Sequence, residues 1–137
     1  MNTQLPANIE ALCAELYDKK ARDIVAIPVS DMTIIADWFI ICSGRVPQQV
    51  KAICDDLENK AAELGMEMRR KEGYGAGRWI VLDYADTLVH IFLPEERQYY
   101  NMERLWDINS VAVNYSRLRD EEAEKAAAAN KTDNWNE

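Results

Sequence analysis

Few side chains here have the type and spacing for catalysis. The sequence holds one histidine, His90, and three cysteines, Cys13, Cys42 and Cys54, with no CxxC pair. A Cys/His metal site has little to build on. Each cysteine falls at an apolar position of an expected helix or strand, which predicts buried thiols. Asp55 and Asp56 are adjacent, and on a helix neighbours diverge by about 100°, so they do not form a carboxylate pair. Ser43-Gly44-Arg45 stands between a strand and a helix, where backbone N–H groups can hold phosphate. GxGxxG and GxxxxGK[ST] are both absent, and an ordinary strand-to-helix turn accounts for the tripeptide. What remains is Arg78–Asp107, where six acids (Asp83, Asp86, Glu95, Glu96, Glu103 and Asp107) meet three arginines and interleave with aromatics. That composition suits a surface for a basic protein, with aromatics at its centre.

Two short apolar runs position these residues, Trp79–Tyr84 and Leu88–Leu93, separated at Ala85-Asp86. Their β-branched and aromatic content predicts an antiparallel hairpin. With a two-residue turn, Tyr84 faces Thr87, Leu82 faces Val89 and Ile80 faces Ile91, an apolar face suited to a core. The other face pairs Asp83 with Leu88, Val81 with His90 and Trp79 with Phe92. Helices of the same chain cover this mixed face, or it docks another macromolecule. Tight turns favour Gly or Asn at positive φ, and Ala85 is neither.

The rest of the chain supplies a scaffold. Its 137 residues are one domain's worth, and 48% are hydrophobic. The formal charge of −8 argues against nonspecific nucleic-acid binding. No run reaches membrane-span length, and the start, MNTQLPANIEALCAELYDKK, has no signal-peptide pattern; the expected location is the cytoplasm. Ile9, Leu12, Cys13 and Leu16 form the buried stripe of a helix over Asn8–Ala21. Strands are expected at Asp23–Val29, with Pro28 near an edge or a strand end, and at Ala36–Cys42. Pro47–Leu64 is the strongest helix, stopped by Gly65. Met66–Arg70 reads as a short edge strand and Lys71–Gly77 as a glycine loop. Pro94–Trp106 reads as helical, with Tyr99, Met102, Leu105 and Trp106 on one stripe. Residues 1–115 form the domain; 116–137 are expected to be a disordered acidic, Ala-rich tail.

The ordered set ARDIVAIPV, ADWFIICSG and EGYGAGRWIVLDYADTLVHIFLPEERQYYNMERLW resembles the ribosomal silencing factor family, also called Iojap-like, from about Ile9 to Trp106. The resemblance implies a single α/β domain: a mixed sheet of about five strands flanked by helices, similar in topology to nucleotidyltransferases but without their catalytic acids. It implies no cofactor. The function implied is binding to the large ribosomal subunit through ribosomal protein L-fourteen, on the face that meets the small subunit. Blocking subunit joining lowers translation when nutrients are scarce; mitochondrial and plastid relatives act on organelle ribosomes. The partner-binding residues carried over are Trp79, Asp83, Asp86, His90, Glu95, Glu96, Arg97, Tyr99, Tyr100, Glu103, Leu105 and Trp106. Two positions depart from the family pattern: Ala85 replaces a usual Gly at the hairpin turn, and Pro28 replaces an Asp common in the first strand.

Two other readings compete. A nucleotidyltransferase-like enzyme would hold Mg²⁺ on Asp37, Asp83 and Asp86. Its usual Asp-x-Asp/Glu pair is missing after Ser43-Gly44, and fold analogy alone is a weak warrant. The mixed hairpin face could also pair with itself in a two-fold dimer.

Overall fold

The hairpin forms with the expected register. In the computed structural model, which describes residues 5–135, β4 (Trp79–Asp83) and β5 (Thr87–Phe92) pair antiparallel. Trp79 lies opposite Phe92, Ile80 opposite Ile91, Val81 opposite His90, Leu82 opposite Val89 and Asp83 opposite Leu88. The Tyr84 N–H donates to the Thr87 carbonyl at 2.9 Å. Ala85 meets the turn's demand by adopting φ +74°. Its N–H donates to Asp83 Oδ1 at 2.8 Å, and the Asp86 N–H reaches back to the Tyr84 carbonyl at 3.0 Å. The result is a γ-turn, a strained geometry for a residue with a Cβ.

Around the hairpin lie α1 (Ala7–Asp18), β1 (Arg22–Pro28), β2 (Trp38–Ser43), α2 (Pro47–Glu63), β3 (Arg70–Glu72), α3 (Pro94–Tyr100), α4 (Met102–Trp106), β6 (Val113–Asn114) and α5 (Tyr115–Trp135). The six strands make one sheet in the order β3-β4-β5-β2-β1-β6, one more than expected. β2 and β5 run parallel; the other neighbouring pairs are antiparallel. Alternation along the strands gives each side of the sheet its own core. On one side Ile80, Leu82, Val89, Ile91, Ile40 and Ala26 pack under the apolar stripes of α1 and α2. On the other, Ile27, Phe39, Ile41 and Phe92 form a smaller cluster, closed by Met102 and Trp106 of α4 and by Met32 and Ala36 of the loop before β2.

α2 ends as its sequence requires. Gly65 takes φ +76°, the Met66 N–H donates to the Ala61 carbonyl at 2.9 Å, and the Gly65 N–H donates to Ala62 at 3.0 Å. This is the Schellman arrangement. Pro28 closes β1 opposite Trp38, a strand end where its missing N–H is harmless.

Three expectations need correction. The edge strand β3 falls on Arg70–Glu72, inside the stretch read partly as loop, because its ladder is set by β4, with Arg70 opposite Asp83. Pro94–Trp106 is two helices, not one, since Asn101 adopts φ +46° and breaks the stripe. From Tyr115 the chain is helical, where a disordered tail was expected from Ser116. Its first turn is anchored: Tyr115 is buried in the main core, its hydroxyl donates to Glu10 at 2.8 Å, and Ser116 Oγ accepts the Ile24 N–H at 2.8 Å. That last bond serves a backbone group at an irregularity in β1, where the pairing with β2 slips between Arg22 and Val25. Asn136 and Glu137, the end of the expected tail, lie outside the described residues.

Candidate protein-docking face

The mixed face of the hairpin builds an aromatic cluster. Trp79 stacks on Phe92 with ring centroids 4.9 Å apart and lies 4.7 Å from Tyr100. Phe39 of β2 is 5.1 Å from His90 and 4.9 Å from Trp106. The Trp79 indole N–H donates to His90 Nδ1 at 3.2 Å, so the imidazole proton sits on Nε2. His90 is 5% exposed, and burial pushes its pKa down to about 4. It is therefore a neutral ring that holds Trp79 in place. It has the wrong protonation state to serve as a cation.

The predicted site residues divide by what they touch. Tyr99 (82% exposed), Leu105 (63%) and Tyr100 (45%) present large side chains to solvent. Glu95 is exposed beside them, and Glu95, Glu96, Tyr99 and Tyr100 line a shallow cavity. Trp79 and Trp106 are half-buried and join this surface to the core below. The remaining members are engaged in contacts within the fold. Asp83 and Asp86 build the hairpin turn: the Asp86 carbonyl accepts the Asp37 N–H at 2.8 Å, and its side chain accepts from Thr87 Oγ1 at 3.2 Å. Glu96 accepts from Arg78 Nε at 2.6 Å.

Arg97 is a brace. Its guanidinium pairs with Glu103 at 2.9 Å and donates to Ser43 Oγ at 2.9 Å and to the Asp23 carbonyl at 2.7 Å. It thereby fixes α3 and α4 against the ends of β1 and β2. A fork with fixed donors suits such a junction better than a flexible ammonium.

Sequence reasoning missed part of this surface. Ile34 (103% exposed), Ile35 (60%), Ile108 (70%) and Val111 (47%) are large apolar groups held out from loops. These loops belong to the same side of the sheet: Met32 and Ala36, which flank Ile34 and Ile35, share a cluster with Trp106 and Ala112. The available signal was an Ile-Ile pair in the loop between β1 and β2. Large apolar groups exposed on one side of a sheet suit an interaction site. The phase reset at Asn101 supplies much of it, because Tyr99 and Leu105 point outward while Met102 and Trp106 pack inward.

The acids of the enzyme reading are not assembled. Among the described residues, the one trio of potential metal ligands within 4.8 Å of one another is Cys54, Asp55 and Glu58, not Asp37, Asp83 and Asp86. Lys71 Nζ already sits on Glu58 at 2.9 Å, and burial with the Glu58 hydrogen bond raises the Cys54 pKa to about 12, against thiolate ligation. The thiols of Cys13 and Cys42 are buried too. No helix among the described residues is long and apolar enough to cross a membrane.

Comparison with known proteins identifies the family and the fold. The family described as "Ribosomal silencing factor during starvation" matches residues 2–137. The ribosomal silencing factor of Halalkalibacterium halodurans is 46% identical over 89 residues, 65% of this chain and 76% of the relative. That of Bacillus subtilis is 40% identical over 98 residues, 72% of this chain and 83% of the relative. A crystal structure of a Chromobacterium violaceum protein superposes with a TM-score of 0.71 at 32% identity, covering 77% of this chain and 87% of that one. This chain belongs to the ribosomal silencing factor family.

Proposed function

We propose that this protein acts by binding, not catalysis: it docks on the large ribosomal subunit through ribosomal protein L-fourteen and sterically keeps the small subunit from joining. Translation is thereby repressed when nutrients are limiting, in the cytoplasm or an equivalent compartment. The observation that carries the reading is the cluster of outward aromatic and aliphatic side chains, Tyr99, Tyr100 and Leu105, beside exposed Glu95 and above a braced Trp79–His90–Phe92 stack. Desolvated aromatics supply most of the energy at such interfaces, and rim acids orient a basic partner. The same apolar face is available to a second copy of the chain when no ribosome is present, which light scattering across concentration tests.

Sedimentation with separated ribosomal subunits tests the main reading. The protein should travel with the large subunit and reduce the fraction of joined ribosomes. Tyr99→Ala and Leu105→Ala should each weaken binding about tenfold, near 1.4 kcal/mol, without loss of fold, because both side chains are exposed. Trp79→Ala should weaken it more than Glu96→Ala, whose carboxylate is already paired with Arg78. Protein that stays at the top of the gradient, or binding indifferent to Tyr99, Leu105 and Trp79, overturns the proposal.

A further inference from the structure

A second feature lies where β2 ends, around the corner from the aromatic cluster. A cavity of about 410 Å³ is lined by Tyr17, Lys20, Ala21, Arg22, Arg45 and Gln49. That volume falls in the range of small-ligand pockets, roughly 300–1,000 Å³. Three of these six residues are cations and none is an acid, in a chain of formal charge −8. None of the three cations makes an ion pair among the described residues.

Three separate parts of the chain bring them together. Lys20 follows α1, Arg22 opens β1, and Arg45 stands between β2 and α2. Arg22 lies opposite Ser43, so the start of β1 meets the end of β2.

The backbone around Lys20 adds a second observation. Lys20 adopts φ +70°; its N–H donates to the Tyr17 carbonyl at 3.1 Å, and the Ala21 N–H donates to Leu16 at 2.9 Å. This is a Schellman end to α1 with lysine at the position where glycine is preferred. A lysine of the cavity lining thus stands on a backbone that glycine would relax. Gln49 spans to the other wall: its Oε1 accepts the Arg45 N–H at 2.6 Å, and its Nε2 lies 3.5 Å from the Lys20 carbonyl.

We infer that this cavity binds a small phosphate compound with two or more negative charges, of the pyrophosphate or nucleoside diphosphate class. Two guanidinium forks match phosphate oxygens in pairs and an ammonium adds a point charge. A depression of this size suits a small molecule better than a nucleic-acid backbone, which needs an extended charged groove. The inference is independent of the ribosome reading.

Calorimetric titration of the full chain at low salt tests it, with pyrophosphate and ADP as probes and adenosine as the uncharged control. One saturable site for both phosphate probes and none for adenosine is the expected result. Lys20→Gly should lose about tenfold in affinity, near 1.4 kcal/mol, while its urea midpoint stays the same or rises, so misfolding cannot explain the loss. Arg22→Ala with Arg45→Ala should abolish binding. Arg69→Ala, which removes an exposed cation before β3, should leave it intact. No saturable binding of either phosphate probe, an equal loss in Arg69→Ala, or binding confined to a short RNA duplex overturns the inference.

Discussion

Ala85 holds a left-handed backbone, at φ +74°, in the turn between two strands that carry the aromatic cluster. For a residue with a Cβ this conformation costs about 1–2 kcal/mol, part of which glycine returns through its freer unfolded chain. Ala85→Gly should therefore raise stability by about 0.5–1 kcal/mol, read as a higher urea midpoint; an unchanged or lower midpoint would mean the γ-turn is unstrained. His90 gives a pH dependence with a definite sign. Burial lowers its pKa from 6.5 to about 4 in the folded chain, so the unfolded chain takes up a proton first as pH falls. The contribution is fully present above pH 6.5, declines as pH drops toward 4, and is on the order of 3 kcal/mol in total. Urea titrations at several pH values should show this slope in the native protein and lose it in His90→Asn. A slope retained in that variant would assign it to other groups.

At the scale of elements, the glycine loop before β4 positions Trp79. Gly73 sits at φ +86°, and a Cβ there would lie 2.0 Å from the Trp79 carbonyl oxygen. Gly73→Ala should cost about 2 kcal/mol or more, seen as a lower melting temperature together with weaker binding to the large subunit. A fully stable variant would show that the loop can move aside. This glycine is therefore a matter of backbone approach, and needs no nucleotide to explain it. The α3–α4 break works in the opposite sense. One continuous helix would have turned Tyr99, Met102, Leu105 and Trp106 to one side. With Asn101 left-handed, the same residues divide between a surface and its support.

For the whole molecule, the asymmetry of the sheet matters most. One side carries α1 and α2 over a large core, while the other is closed by two short helices and a loop. The less covered side carries the exposed apolar groups and the acids of α3 and α4. Docking to a basic partner should therefore depend on salt. Raising ionic strength from about 0.1 M to about 1 M, which shortens the screening length from roughly 10 Å to roughly 3 Å, should slow association with the large subunit more than it speeds dissociation. Association rates independent of salt would point to an interface that uses its apolar groups alone.

Local patterns were legible without coordinates. The hairpin register followed from two alternating runs and a two-residue turn, because a strand's side chains repeat every two residues. The helices α1 and α2 followed from stripes at a period of 3.6 residues. Three things were decided only in three dimensions. The pairing of β6 with β1 joins residues about ninety apart, and a two-residue strand has no pattern of its own. The first turn of α5 became ordered because Tyr115 found the main core and Ser116 met a backbone N–H left open in β1. The roles of the acids and aromatics were set by neighbours distant in sequence: Arg97 and Glu103 face each other and the strand ends, whereas Glu95 and Tyr99, a few residues away, face water. Composition identifies residues able to dock a partner, but which of them remain free to do so depends on the contacts that folding has already satisfied.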